Sequence, residues 1–333
     1  MRGEDQAVRR MIDAYQGIQA RVKPQLDKAL ADISREISAG RKPTPAQLFQ
    51  TKRMQAVVAQ LDVELNRVAE CAGQIIVERQ RELADLAQEH ARELAKLGLP
   101  PGVRGPIWSH LPAESLTDLT GALSEGSPLS HVLAQIAPDG VGRLKQAIIE
   151  GVGAGLSPEQ IAREANAALG SSMGRVATVV RTEDMRAYRS SSNRAFQAND
   201  DVIDGWIWFA SLSFDTCASC LALHGTKHPL SQSMDTHPNC RCVQVPSTKS
   251  WHELGFKGPD QRPQIESGAD WLARQDEATQ RRALGPAKFE AYRKGDIALH
   301  DLAAHSKSPA WGGMHHEASL KSALAAAKAR QQS

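Results

Sequence analysis

From Met11 the apolar positions Met11, Tyr15, Ile18, Val22, Leu26, Leu30, Ile33 and Ile37 recur every three or four residues, with polar residues between them. That period predicts an amphipathic helix with one apolar stripe. Pro24 lies inside it and predicts a kink, because proline lacks a backbone donor and crowds the preceding turn. The pattern stops over Ser38-Ala39-Gly40-Arg41-Lys42-Pro43 and restarts at Thr44-Pro45-Ala46-Gln47, where an N-cap, a proline at the first helical position and a capping-box Gln follow one another. No stop signal then appears before Gly98-Leu99-Pro100-Pro101, and the stripe runs through Met54, Val58, Leu61, Leu65, Val68, Ala72, Ile75, Leu83, Leu86, Leu94 and Leu97. At 1.5 Å per residue this predicts a second helix of roughly 80 Å. The two should fold back on each other as a hairpin, leaving one apolar strip for a third helix or another protein.

Shorter helical patterns follow at Leu116-Leu119-Leu123, Leu129-Val132-Leu133-Ile136 and Leu144-Ile148-Ile149-Val152. Ser157-Pro158-Glu159-Gln160 opens another capped helix, expected to end at Gly170, and a further one is expected from about Ser172 to Asn199. Asp204-Gly205 reads as a turn, and the aromatic, β-prone segment Trp206 to Phe214 reads as a strand. The pattern divides the chain into an extended helical arm (1–100), a helical domain (101–200), a small β module (201–250) and a helical C-terminal region (251–333). The fold class expected is α+β: mostly α, with a long N-terminal helical hairpin and a small β-hairpin module.

Composition sharpens this picture. Five of the six Trp lie beyond residue 205, which predicts a compact core in the C-terminal part. Lys and Arg number 40 against 38 Asp and Glu, a balance that argues against a strong polyanion-binding protein. A solvated helix face carries Arg281, Arg282, Lys288, Arg293 and Lys294 and allows at most weak DNA contact. No apolar run is long enough to span a membrane. The start, Met1-Arg2-Gly3-Glu4-Asp5-Gln6, is polar where a secretion signal is apolar, so assembly in a reducing cytosol is expected.

In that compartment four clustered cysteines point to metal rather than to a disulfide framework. Cys217-x-x-Cys220 can turn both thiolates toward one ion, and His237, Cys240 and Cys242 offer the second pair about 20 residues later. His237 with Cys240, His237 with Cys242, or Cys240 with Cys242 would each complete four ligands. Packed thiols and disulfides are the competing states of the same residues. A structural zinc is favoured over a catalytic one, since no His-x-Glu supplies a water-activating carboxylate. Cys71 reads as an inert core thiol, and His224 and His228 as loop histidines. On the preceding helix Arg181 and Glu183 are two residues apart, so they point to different faces and are not a simple mutual ion pair.

The ordered string Arg181-Thr182-Glu183, Trp206, Asp215-x-Cys217-x-x-Cys220-x-x-Leu223-x-Gly225, His237-Pro238-x-Cys240-Arg241-Cys242 and Pro246 resembles the phage Mu F-like minor head proteins. The tail, with Trp271-Leu272, Leu284-Gly285-Pro286, Tyr292 and Gly295-Asp296-Ile297, is similar to segments that follow the cysteines in other minor head proteins. The resemblance implies a non-enzymatic minor capsid protein in the virion head near the portal, assembled in the host cytoplasm. It also implies a role in head assembly, DNA packaging or DNA delivery, with the portal protein, and a scaffold or major capsid protein, as partners. Arg181 and Glu183 are then expected to brace the cysteine module. The alternative is a metal-dependent nuclease or nucleotide-modifying domain, with His224, His237 and Asp215 as candidate chemistry.

Overall fold

The computed structural model describes residues 2–41, 43–102, 108–109, 128–213, 215–308 and 311–332. The fold is α+β and mostly helical, with small antiparallel sheets. The helix expected around Leu116 to Leu123 lies outside the described residues. The chain divides into two compact units, one of residues 1–79 and 121–183, the other of residues 80–120 and 184–333.

The first unit is built on α1 (Arg2–Ser38) and the N-terminal part of α3 (Lys52–Leu97). Their ion pairs Arg10–Glu78, Arg21–Glu64 and Arg53–Asp32 step in opposite directions along the two helices, so they form the antiparallel hairpin that the apolar period predicts. The stripe residues Ile18, Val22, Leu26, Leu30, Met54, Leu61, Leu65 and Ile75 are buried. α1 continues through Pro24 as one helix. The connection differs from the expected single helix. Thr44 and Gln47 form the capping box of a short α2 (Pro45–Gln50), Thr51 adopts an extended backbone, and its hydroxyl then accepts from the Met54 N–H to start α3. α4 (Pro128–Ala134) and α5 (Ile136–Gly153) supply the third layer, with the Gly140 backbone set against the Leu65 side chain.

One helix, α6 (Pro158–Gln197), replaces the two expected here. A glycine inside a helix costs only about 1 kcal/mol. Leu169 before Gly170 and Val176, Val179 and Val180 after it are all buried, so packing carries the helix across that position.

In the second unit the stripe along α3 also departs from the pattern. Leu86 and Leu97 are exposed, and the buried apolar positions are Ala84, Ala87, Ala91 and Ala95, whose small side chains permit close helix packing. Ala91 and Ala95 share one apolar cluster with Ala195, Phe196, Trp206 and Trp208, and His90 Nδ1 pairs with the Tyr188 hydroxyl at 2.9 Å. Three strands, β1 (Ile203–Phe209), β2 (Lys227–His228) and β3 (Val243–Thr248), form an antiparallel sheet in the order β2-β1-β3. Gly205 is not in a turn. It sits in β1 beside a register shift, where a Cβ would lie 2.5 Å from the His228 carbonyl oxygen. Pro246 occupies the edge strand β3, where its missing N–H is tolerated.

After α7 (Ala218–Leu223), the C-terminal part contains α8 (Gly268–Ala273), α9 (Glu277–Leu284), α10 (Pro286–Lys294) and α11 (Leu320–Gln331). It also holds a β-hairpin the sequence pattern had not signalled, β4 (Ala303–Ser308) paired with β5 (Gly312–Glu317). Leu221, Leu272, Phe289, Leu299, Leu302 and Ala323 form its core. No helix among the described residues is long and apolar enough to cross a membrane.

Candidate metal centre

The cysteine segment is held from both sides. Trp208 N–H donates to Thr226 O and Gly225 N–H to Trp208 O, which closes the chain from β1 through α7 back onto the sheet. Cys217 is the N-cap of α7, its sulfur accepting from the Cys220 N–H at 3.4 Å, so the two cysteines form the knuckle that their spacing predicts. The second segment turns at His237–Cys240, with Asn239 in the left-handed region (φ 63°) and Cys240 N–H bonded to His237 O. Asparagine tolerates that conformation better than other side chains do.

The fold brings Cys217, Cys220, His237, Cys240 and Cys242 into one cluster. Cys220 is common to two close triads, one with Cys217 and His237 and one with Cys240 and Cys242. His237 Nε2 lies 3.3 Å from Cys217 Sγ and 3.4 Å from Cys220 Sγ, and the Cys220 and Cys240 sulfurs are 3.7 Å apart. A tetrahedral ion with S bonds of about 2.3 Å and N bonds of about 2.0 Å has S–N edges of about 3.5 Å and S–S edges of about 3.8 Å. His237 Nδ1 donates to Pro238 O at 2.8 Å, which fixes the tautomer and leaves Nε2 as the ligand atom. The donor set and its spacing therefore suit a thiophilic metal ion. All four cysteines are free thiols here.

The electrostatics agree. Its hydrogen bonds with Cys220 and then His237 bring the Cys217 thiol down to about 5, and Cys220 also drives the Cys240 thiol down. Cys220 is pushed up by Cys217, and Cys242, against the pull of Cys220, is raised to about 12 by Cys240 and burial. The Cys217 sulfur raises His237 to about 10. Two sulfurs thus ionise readily while their neighbours share the remaining protons, and a bound cation would displace those protons. Beside the cluster lies an open cleft of about 440 Å³ lined by Ser211, Ser213, Asp215, Thr216, Asn239 and Arg241.

The other candidate residues have separate surroundings. His224 is buried, and its Nδ1 accepts from the Ala210 N–H at 2.9 Å. His228 stacks on Trp206 at 4.2 Å and pairs with the Thr226 hydroxyl. The Asp215 side chain is 84% exposed and faces Arg282. Cys71 is half-buried in α3. Of the basic face, Arg281, Arg282, Lys288 and Arg293 each meet a carboxylate.

On α6, Glu183 is buried and Arg181 half-buried. Two turns further on, Arg189, 5% exposed, reaches the cysteine segment. Its Nε donates to Cys242 O at 2.8 Å, Nη2 to Cys240 O at 2.7 Å and Nη1 to the Thr236 hydroxyl at 2.7 Å. The sequence held one signal for this: at three and four residues either side of Arg189 stand Met185, Arg186, Ser192 and Asn193, none of them acidic.

Residues 142–245, which span this cluster, match the family model described as Phage Mu protein F like protein, in agreement with the resemblance carried by the cysteine and histidine string. No curated protein and no solved structure matches the chain.

Proposed function

Because residues 142–245 belong to the Phage Mu F-like family, a family of phage head proteins, we propose that this chain is a minor head protein that docks on the portal. It acts there in head assembly, DNA packaging or DNA delivery, together with other head proteins. The match over the segment that carries the cluster is the observation that supports this reading. The charged outer faces of the α1–α3 hairpin suit a docking element. Co-expression with the portal protein of the same genome, followed by size-exclusion with light scattering, should give a complex of fixed stoichiometry that is lost when residues 1–79 are removed. Separate elution of the two intact proteins would refute portal docking.

The metal reading is structural zinc. Cys217, Cys220, His237 and Cys240 would hold it, with the Cys242 thiol alongside, and the ion would tie α7 to the segment before β3. Cys220→Ser should abolish zinc binding and Cys242→Ser should retain it. The reverse pattern would move the fourth ligand to Cys242.

A further inference from the structure

Arg189 presents an electrostatic problem that its three hydrogen bonds do not solve. Its hydrogen-bond partners are two carbonyls and a hydroxyl, all neutral, and among the described residues no carboxylate stands against it. A buried guanidinium without a counter-charge is costly. The two carbonyls it bonds belong to Cys240 and Cys242, so the nearest source of negative charge is the sulfur cluster carried by the same residues.

Charge counting then links the two. A divalent ion with three thiolates and a neutral imidazole carries a net charge of −1. Beside Arg189 that unit is neutral, whereas a four-thiolate set would leave −1 in the interior. We infer that Arg189 is the positioning residue and counter-ion of the metal centre: it fixes the carbonyls of the Cys240 and Cys242 segment from α6 and selects a ligand set of three thiolates and His237. Metal loading and the seating of α6 on the cysteine segment are therefore one coupled equilibrium. This inference rests on the metal reading above.

The test is zinc affinity of the reduced full-length chain, measured by competition with a chromophoric chelator, for wild type, R189Q and R189K. Loss of a residue that orients metal ligands typically weakens binding 10- to 100-fold. R189Q should fall in that range, and R189K, which keeps the charge but loses the planar fork, should recover part of the loss and stay within about tenfold of wild type. An R189Q protein with wild-type affinity would overturn the inference, as would R189K weakened 30-fold or more, a result that stands even if R189Q does not fold. Thermal unfolding with and without chelator gives a second readout. The R189Q penalty should be larger in the zinc-loaded protein, and equal penalties in both states would reduce Arg189 to a structural hydrogen-bond donor. Wild-type protein that binds no zinc would overturn the metal reading itself, whereas loaded wild type beside an unaffected R189Q overturns only the role of Arg189.

Discussion

Gly268 offers a sharp test of how the cysteine knuckle is held. It opens α8, and its N–H donates to His224 O at 3.1 Å, so the two backbones run in contact. A Cβ added at Gly268 would overlap the Leu221 carbonyl oxygen, lie 2.8 Å from the Leu221 carbonyl carbon and 3.3 Å from His224 Cβ. Ordinary carbon contacts are about 3.5–4.0 Å, so α7 and α8 would have to separate by about 1 Å. Because the obstacle is backbone, no rotamer change relieves it. Overpacking of this kind costs about 1–3 kcal/mol, and a rigid obstacle places Gly268→Ala at about 3 kcal/mol. For a unit of about 190 residues that lowers the Tm by about 6–12 °C. The matched control is Gly142→Ala, an exposed position in α5 where a Cβ meets nothing within 4 Å. It should gain about 0.5–1 kcal/mol from helix propensity. Differential scanning calorimetry reads both. A Gly268→Ala protein melting within about 1 °C of wild type would refute the close approach of α7 and α8.

The buried carboxylate of Glu64 receives Arg21 Nε at 2.8 Å, Arg21 Nη2 at 2.6 Å and Gln60 Nε2 at 2.8 Å. The Arg21 hydrogen bonds hold its pKa below the usual carboxylate value against the opposing effect of burial, so its contribution is complete above the unfolded-state value near 4.3 and is lost as pH falls through the lower folded value. Glu64→Gln should therefore destabilise at pH 7 and converge on wild type in acid, and a pH-independent difference in urea titrations would contradict this. Trp206 is fully buried, donates from Nε1 to Gln232 O at 3.0 Å and stacks on His228. Trp206→Phe should cost about 2 kcal/mol by chemical denaturation, and a loss under about 0.5 kcal/mol would show that neither contact matters.

Local rules carried much of this fold. The 3.6-residue period located the α1–α3 hairpin, and both Ser/Thr-Pro-x-Gln caps formed as read, Thr44 with Gln47 and Ser157 with Gln160. The failures share a cause, which is that tertiary contacts overrode local preference. Gly170 did not end α6 because buried valines follow it, and Gly205 entered a strand because His228 O needs the space. The Ala84 to Ala95 stripe was masked by larger leucines, whose period is as strong in the sequence but whose side chains face solvent at Leu86 and Leu97. The β4–β5 hairpin carries mostly Ala, Ser, His and Gly, so alternation left no signal there. For the cluster, residue types and spacing nominated all five candidate ligands. Arg189 showed only the lack of an acidic neighbour on its own helix, because the carbonyls it bonds, those of Cys240 and Cys242, are more than 50 residues away in sequence.

The central claim is that the cysteine and histidine cluster holds one metal ion on which the module depends. Native mass spectrometry of the reduced, full-length protein, purified without chelator, tests it most directly. The account predicts a mass increase of one zinc ion per chain, lost in Cys220→Ser and kept in Cys242→Ser. A metal-free wild-type chain that stays metal-free after incubation with equimolar zinc and melts at the same temperature with and without chelator would contradict it.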